Sequence, residues 1–500
     1  MADKSEKILN IATKRGFFFP TAEIYTARAG FWTYGHLGTL MKQNWENLWR
    51  EYFLNLNDNY FEIEGSFILP KKVFESSGHL ENFNDPLTQC RKCKFRFKAD
   101  ELIEDKLNMN VEGLDPKALD KLIKKNKLVC PKCGAESLEP TQAFNMMFDV
   151  KIGALGEETA YLSPETAQNP FLSFKRQSMA LRDKLPMGLA MIGKAFRNEI
   201  SPRQGFFRLR EFSQAELQIF YDPETFNEEE NWNKIKSYKL QLKLANKDKI
   251  SIISCEQANK KLKLSKLYLY HAAKIQQFYL QTLKIPKDKL RFRELSGKER
   301  AFYNKIHFDI EINIESLNGF KEVAGLHARQ DHDLLGHQEG SNEKLEMNYN
   351  GKKILPHVLE LSFGVDRNIW ALLDVFYRED KTRTLFSLPS IISPFETTVF
   401  PLVKNNKRLV KKAREIYEEI RKDFKTFYDE SGSIGKRYRR AEEVGINSMI
   451  TIDFDTLKKN TVTLRSRDSM KQVTIPLSKL KDKLNEFLQG KSLEKLGKKI

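Results

Sequence analysis

The sequence predicts an α+β fold, on three observations. Residues 193–220 alternate apolar and charged side chains on either side of a short SPRQG loop, the pattern of an antiparallel hairpin. Leu37, Leu40, Met41, Trp45, Leu48, Trp49 and Phe53 recur at helical spacing. After LPSIISPF the chain turns strongly basic and strand-like runs alternate with a long helical run, which marks a separate C-terminal α/β domain. At 500 residues with 40% hydrophobic content, two to four domains with ample core are expected.

The opening residues, MADKSEKILNIATKRGFFFP, hold no uninterrupted apolar run before a small-residue cleavage site, and no stretch is long enough to span a membrane. Five cysteines leave Cys255 over after pairing, which argues against a secreted disulfide framework and for the cytoplasm. A net charge of +17 implies a polyanionic partner, with a solvated basic surface as the plain alternative. The helix at 37–53 presents one wide apolar stripe, and its two tryptophans suit a subunit interface as well as a core.

Cys90 and Cys93 form one CxxC, Cys130 and Cys133 a second, with 36 residues between the pairs. Two such knuckles place four thiolates tetrahedrally around zinc, and four protein ligands leave no open position for catalysis. Residues 94–129 between them are charged and helix-prone, and read as an insertion stapled at its base. Residues 144–176 return to apolar strands. Residues 193–218, GKAFRNEISPRQGFFRLREFSQAELQ, put Arg197, Glu199, Arg208 and Arg210 on the charged face of the hairpin. Cross-strand Arg–Glu pairs are one use for such a face. Residues 223–300 are lysine-rich with helical patches such as NEEENWNKIKSYKLQLKLAN, a solvated helical insertion or a flap for RNA. Strands resume from Phe308, and VLELSFGVDRNIWALL reads as strand, glycine turn and apolar helix. Residues 396–500 hold 25 Lys or Arg against 15 Asp or Glu, so +10 of the whole charge sits there.

The FRNE sequence, the loop and the REF sequence of the hairpin resemble motif 2 of the class II aminoacyl-tRNA synthetases. The resemblance extends through FFFPTAEIY, WTYGHLGTLMKQNW, SSGHLENFNDP, YLSPETAQNPF, VAGLHARQDHDL, PHVLELSFGVDR and GSIGKRYRRAEEVG, and is specifically to the glycyl-tRNA synthetase family in its single-chain, homodimeric form. It implies a class II antiparallel sheet core flanked by helices, a zinc-bearing insertion and an anticodon-binding domain. The implied divisions are 1–89 (core with motif 1), 90–140 (zinc insertion), 141–222 (core with motif 2), 223–300 (lysine-rich insertion), 301–392 (core with motif 3) and 393–500 (anticodon-binding domain). Motif 1 would build the dimer interface.

By resemblance, Glu165, Glu216, Arg329, Glu360 and Ser362 surround glycine, while Arg197, Glu199, Arg208, Phe212 and Arg367 take ATP. Arg197 and Arg367 carry the catalytic charge stabilisation with magnesium, Glu199 reads the adenine edge and Phe212 stacks on the base. Arg208 holds the pyrophosphate end. Lys436, Arg437, Arg439 and Arg440 are the implied contacts to the tRNA backbone. No general base is needed, because the carboxylate of the amino acid is itself the nucleophile. Forcing one extra methyl into a close-packed glycine pocket costs about 1–3 kcal/mol, so no editing site is called for. Ser163, Asn169, Leu361 and Gln218 depart from the residues common in the family, namely arginine, glycine, proline and glutamate. The rival readings are another class II synthetase with the same C-terminal module, or a noncatalytic nucleic-acid-binding relative.

Overall fold

Alternation along the chain resolves into one nine-stranded sheet in the computed structural model, which describes residues 3–109, 111, 113–202, 205–247, 249–297, 299–300 and 304–500. The strands are β1 (Tyr60–Glu62), β2 (Met187–Phe196), β3 (Glu211–Tyr221), β4 (Lys239–Lys243), β5 (Ser251–Ser254), β6 (Leu290–Glu294), β7 (Ile306–Ile314), β8 (Gly319–Gln330) and β9 (His357–Gly364). Their order in space is β5-β4-β6-β7-β8-β9-β3-β2-β1. All neighbours pair antiparallel except β1 with β2 and β4 with β6.

Register decides which side chains share a face. Glu216 lies opposite Ser362 and Gln218 opposite Glu360, while Gly325 and His327 of β8 face the same two residues of β9 from the other side. One face of the central sheet is therefore polar. The residues between them, Ala215, Leu217, Leu361, Phe363, Ala324 and Leu326, form the buried apolar face. A register shift beside Ile310 and Glu311 sets Glu322 opposite Glu311, returning this carboxylate to the polar face.

Among the helices of this part of the chain are α1 (Lys4–Arg15), α2 (His36–Leu54), α3 (Ala99–Leu107), α4 (Pro116–Lys125), α5 (Gln168–Ala180), α6 (Lys266–Gln277) and α7 (Val365–Phe376). The apolar stripe of α2 packs into the core of its own chain. Trp45 and Trp49 are fully buried within one chain, Trp45 against Phe278 at 6.1 Å and Trp49 against Phe363 at 5.9 Å between ring centroids.

Three expectations are corrected. Residues 223–300 are no solvated helical insertion, because in NWNKIKSYKLQLK only Trp232–Ile235 is helical and the alternating KLQLK becomes β4. This segment supplies β4, β5 and β6 to the sheet, and α6 is buried on nearly every side. The run SPETAQNPFLSFKRQ is not a strand, since it enters α5 at Gln168. The charged hairpin residues also lie outside the ladder. β2 ends at Phe196 and β3 starts at Glu211, so Arg197, Glu199, Arg208 and Arg210 belong to the connecting loop. After one last cross-hairpin bond, Arg197 N–H to Arg210 O at 2.9 Å, its donors are diverted: Asn198 N–H binds Met146 O and Arg210 N–H binds Gly30 O.

The cysteine-bearing segment has a small core of its own, in which Cys90, Phe97, Ala99, Leu102, Ile103, Leu119, Ile123 and Leu128 meet. Asp115 caps α4 by accepting from the N–H groups of Lys117 and Ala118. The C-terminal part forms a six-stranded sheet with helices α8 (Lys407–Ile420) and α9 (Ile434–Val444). Ala441 and Val444 of α9 pack into the same apolar cluster as Phe386 and Leu388, and Arg383 pairs with Glu442 at 2.9 Å across the junction. Among the described residues, no helix is long and apolar enough to cross a membrane.

Candidate active site

The polar face of β3, β8 and β9 floors a cleft walled by the loop between β2 and β3 and by the start of α7. At one end three buried carboxylates converge. Arg329, with no exposed side-chain surface, donates to both oxygens of Asp333 at 2.7 Å, to Glu360 at 2.9 Å and to Glu165 at 3.4 Å. Burial works against ionising Glu165 and Glu360, but the Arg329 charge holds both below the usual carboxylate value. Gln168 and His79 also face Glu165, at 2.9 and 3.5 Å. His327 Nδ1 lies 2.8 Å from Glu360, whose charge raises the imidazole despite burial.

Glu216 differs from the other two. Among the described residues it accepts hydrogen bonds only from hydroxyls, Thr166 at 2.7 Å and Ser362 at 2.6 Å, and no cation pairs with it. Burial first, then the charges of Glu360 and Glu165, push it up to about 8. A carboxylate held this way binds a proton or an incoming cation.

The other end of the cleft is cationic and aromatic. Arg197 donates to the carbonyl of Pro164 at 3.1 Å, and its guanidinium lies 5.3 Å from the ring centre of Phe83 and 5.2 Å from that of Phe212. Arg367 pairs with Glu322 at 2.8 Å and lies 5.4 Å from Phe207. Arg208 pairs with Glu101 at 2.6 Å. One carboxylate oxygen of Glu199 is buried without a hydrogen-bond partner, so a donor from a ligand has a place to go.

Comparison with known proteins accounts for this arrangement. A model of the class II tRNA synthetase core domain (G, H, P, S and T) matches residues 148–376, and an anticodon binding domain model matches 396–487. The glycine–tRNA ligase of Aeropyrum pernix is 35% identical, over 99% of this chain and 99% of its own. Those of Thermococcus gammatolerans and Pyrococcus furiosus are each 36% identical, over 98% of this chain and 99% and 100% of their own. The chain belongs to the glycine–tRNA ligase family.

Within this member of the family, the cleft wall includes Glu165, Arg197, Glu199, Arg208, Phe212, Glu216, Glu360, Ser362 and Arg367, nine of the residues singled out in the sequence. Arg329 stands behind the cleft, clamping two of its acids. Phe83, Phe207, His327 and Glu322 were not singled out. Spacing could have found His327, which shares a strand face with Gly325. Glu322 needed the register shift. Of the four departures, Leu361 lies on the apolar face between Leu217 and Leu326, and Gln218 donates to Glu360 at 2.7 Å. Asn169 donates to Ser66 O at 2.8 Å, and the Ser163 hydroxyl is buried without a hydrogen-bond partner among the described residues.

The proposed RNA contacts divide. Lys436 and Arg439 are exposed. Arg437 is 1% exposed and donates to the carbonyls of Pro401, Leu402 and Gly432, so it builds the domain and does not reach a backbone phosphate. Arg440 is bound to Asp429 at 2.6 Å. The four cysteine sulfurs lie within 4.8 Å of one another, with Cys90–Cys133 and Cys93–Cys130 at 3.6 Å. A zinc tetrahedron with bonds of about 2.3 Å needs sulfurs about 3.8 Å apart. The donor set fits zinc.

Proposed function

We propose that the chain joins glycine to tRNA in two steps, and that the uncompensated Glu216 carries this reading. A ligand whose only distinguishing groups are an ammonium and a carboxylate needs a vacant negative charge at one end of its site and a phosphate-binding end at the other. Glu216 receives the ammonium together with Glu165, Glu360 and Ser362, while Arg329 keeps the two flanking acids ionised and in place. The glycine carboxylate oxygen attacks the α-phosphorus of ATP, the bond to the bridging oxygen breaks, and pyrophosphate leaves. A ribose hydroxyl of the tRNA 3′ end then attacks the glycyl carbonyl, and AMP leaves.

Arg197 meets the charge that builds on the α-phosphate. Its contacts with Phe83, Phe212 and Pro164 O fix the guanidinium before ATP arrives, so little reorganisation remains for the reaction itself. Arg367 faces the terminal phosphate with Arg208, the Glu199 oxygen that lacks a hydrogen bond accepts from the adenine amino group, and Phe212 stacks on the base. Magnesium bound with ATP would neutralise phosphate charge, with Glu322 as a nearby oxygen donor of the type it takes. Zinc on Cys90, Cys93, Cys130 and Cys133 is structural, and its thiolates require a reducing compartment, which supports the cytoplasm.

Lys436 and Arg439 meet the RNA backbone in the domain over 393–500; 1–89, 90–140, 141–222 and 301–392 remain the proposed divisions of the rest, with 223–300 joined to the core through β4, β5 and β6. Exposed Ile24 and Tyr25 and the solvent face of α2, with Thr39, Gln43, Asn47 and Glu51, are available to a homodimer contact. The test is pyrophosphate exchange with each of the twenty amino acids, followed by charging of tRNA(Gly). Exchange driven by glycine alone is expected. Exchange driven by another amino acid, or none, defeats the reading.

A further inference from the structure

The cysteine-bearing module meets the cleft wall at Glu101. The first turn of α3 carries Glu101, whose Oε1 lies 2.6 Å from Nη1 of Arg208. Arg208 sits in the loop between β2 and β3, outside the ladder, so strand pairing does not fix it. Its Nε is 4.0 Å from Glu199 on the cleft side. Ala99, Leu102 and Ile103 of α3 pack with Cys90, Cys130, Leu119 and Ile123, so α3 is anchored in the core that holds the thiolates. Just before α3, Lys98 pairs with Asp85 at 2.7 Å, and both side chains are largely buried. Glu101 is thus held from behind, and Arg208 is held by Glu101.

We propose that Glu101 is a positioning residue through which the four-cysteine module sets ATP affinity. A free arginine has many rotamers, and ordering it only when the nucleotide arrives costs binding energy. Glu101 removes part of that cost by holding Arg208 at the cleft wall beforehand. The effect is on ATP and not on glycine, whose acids lie at the other end of the cleft. This inference rests on the assignment of Arg208 to ATP.

The experiment measures KM for ATP, KM for glycine and kcat in pyrophosphate exchange, with zinc per chain determined on the same preparations of full-length protein. Glu101→Gln is expected to raise KM for ATP roughly two- to five-fold, the range of a partly exposed ion pair, leaving kcat, KM for glycine and zinc content unchanged. In an Arg208→Ala background the same substitution adds nothing. Cys133→Ser lowers the zinc content and raises KM for ATP at least as far. A parental KM for ATP in Glu101→Gln, or an equal rise with Arg208 absent, overturns the role of Glu101. Loss of zinc in Cys133→Ser at an unchanged KM for ATP overturns the link to the module. If Arg208→Ala itself leaves KM for ATP unchanged, the underlying assignment of Arg208 falls instead, and this inference with it.

Discussion

Glycine affinity should depend steeply on pH, because Glu216 must lose a proton to receive an ammonium. The groups facing it are the carboxylates of Glu165 and Glu360 and the hydroxyls of Thr166 and Ser362, with His327 beyond Glu360. With Glu216 pushed up to about 8, it is protonated in most empty molecules at neutral pH. Glycine keeps its ammonium charge across this range, so binding expels the carboxyl proton. Linkage then gives about a tenfold gain in affinity per pH unit below 8, and about 50-fold between pH 6 and pH 8. The assay is titration calorimetry of glycine in buffers of different ionisation enthalpy, which counts the protons released, paired with KM for glycine in pyrophosphate exchange. Close to one proton is expected at pH 6.5, with the slope lost in Glu216→Gln. That variant should also bind glycine at least about 30-fold more weakly, the cost of leaving a buried charge without its partner. The same shift acts on folding with the opposite trend. The folded chain binds more protons at this site than the unfolded chain between pH 4.5 and about 8, so this contribution to stability falls as pH rises through that window. A flat glycine affinity from pH 6 to 8 with no proton release would refute the assignment of the ammonium to Glu216.

Arg197→Ala should lower kcat for glycyl-adenylate formation by about 100-fold while glycine still binds, measured by pyrophosphate exchange and calorimetry; near-parental exchange speaks against the α-phosphate role. Metal analysis should find one zinc per chain, and strong chelation should expose residues 90–140 to protease; a metal-free protein with that segment intact contradicts the structural role. Reversing Lys436 and Arg439 to Glu should raise KM for tRNA and flatten its salt dependence, with pyrophosphate exchange unchanged; unaltered tRNA charging removes both from the interface. Arg437→Ala should lower the melting temperature before it affects RNA binding, since its loss leaves the carbonyls of Pro401, Leu402 and Gly432 without a donor.

The site was legible in the sequence to the extent that it rests on short-range pattern. Glu216, Glu360 and Ser362 were readable through the resemblance of QAELQ and VLELS to family motifs, and the strand register sets Glu216 opposite Ser362 on one face. The four cysteines were readable because their spacing fixes the geometry of their sulfurs. Long-range packing was not legible. Nothing in KLQLK says that its strand partners are residues 251–254 and 290–294, so a lysine-rich run looked like a solvated helix. The α2 tryptophans could not be assigned to core or interface until Phe278 and Phe363 were seen against them. Charge was a poor guide to exposure, as the buried Arg329 and Arg437 show.

The junction between the two sheets fixes how far apart the two ends of a bound RNA must be. Arg467 donates to the carbonyls of Leu388 and Gly445, Arg383 reaches Glu442, and α9 shares its apolar cluster with Phe386 and Leu388. Opening that seam would strand buried guanidinium groups and expose core side chains, so it does not serve as a hinge. On the proposed contacts, the seam sets a caliper: an RNA that reaches Lys436 and Arg439 at one end would meet Glu216 at the other only if its own span matched, and the adjustment would fall to the RNA.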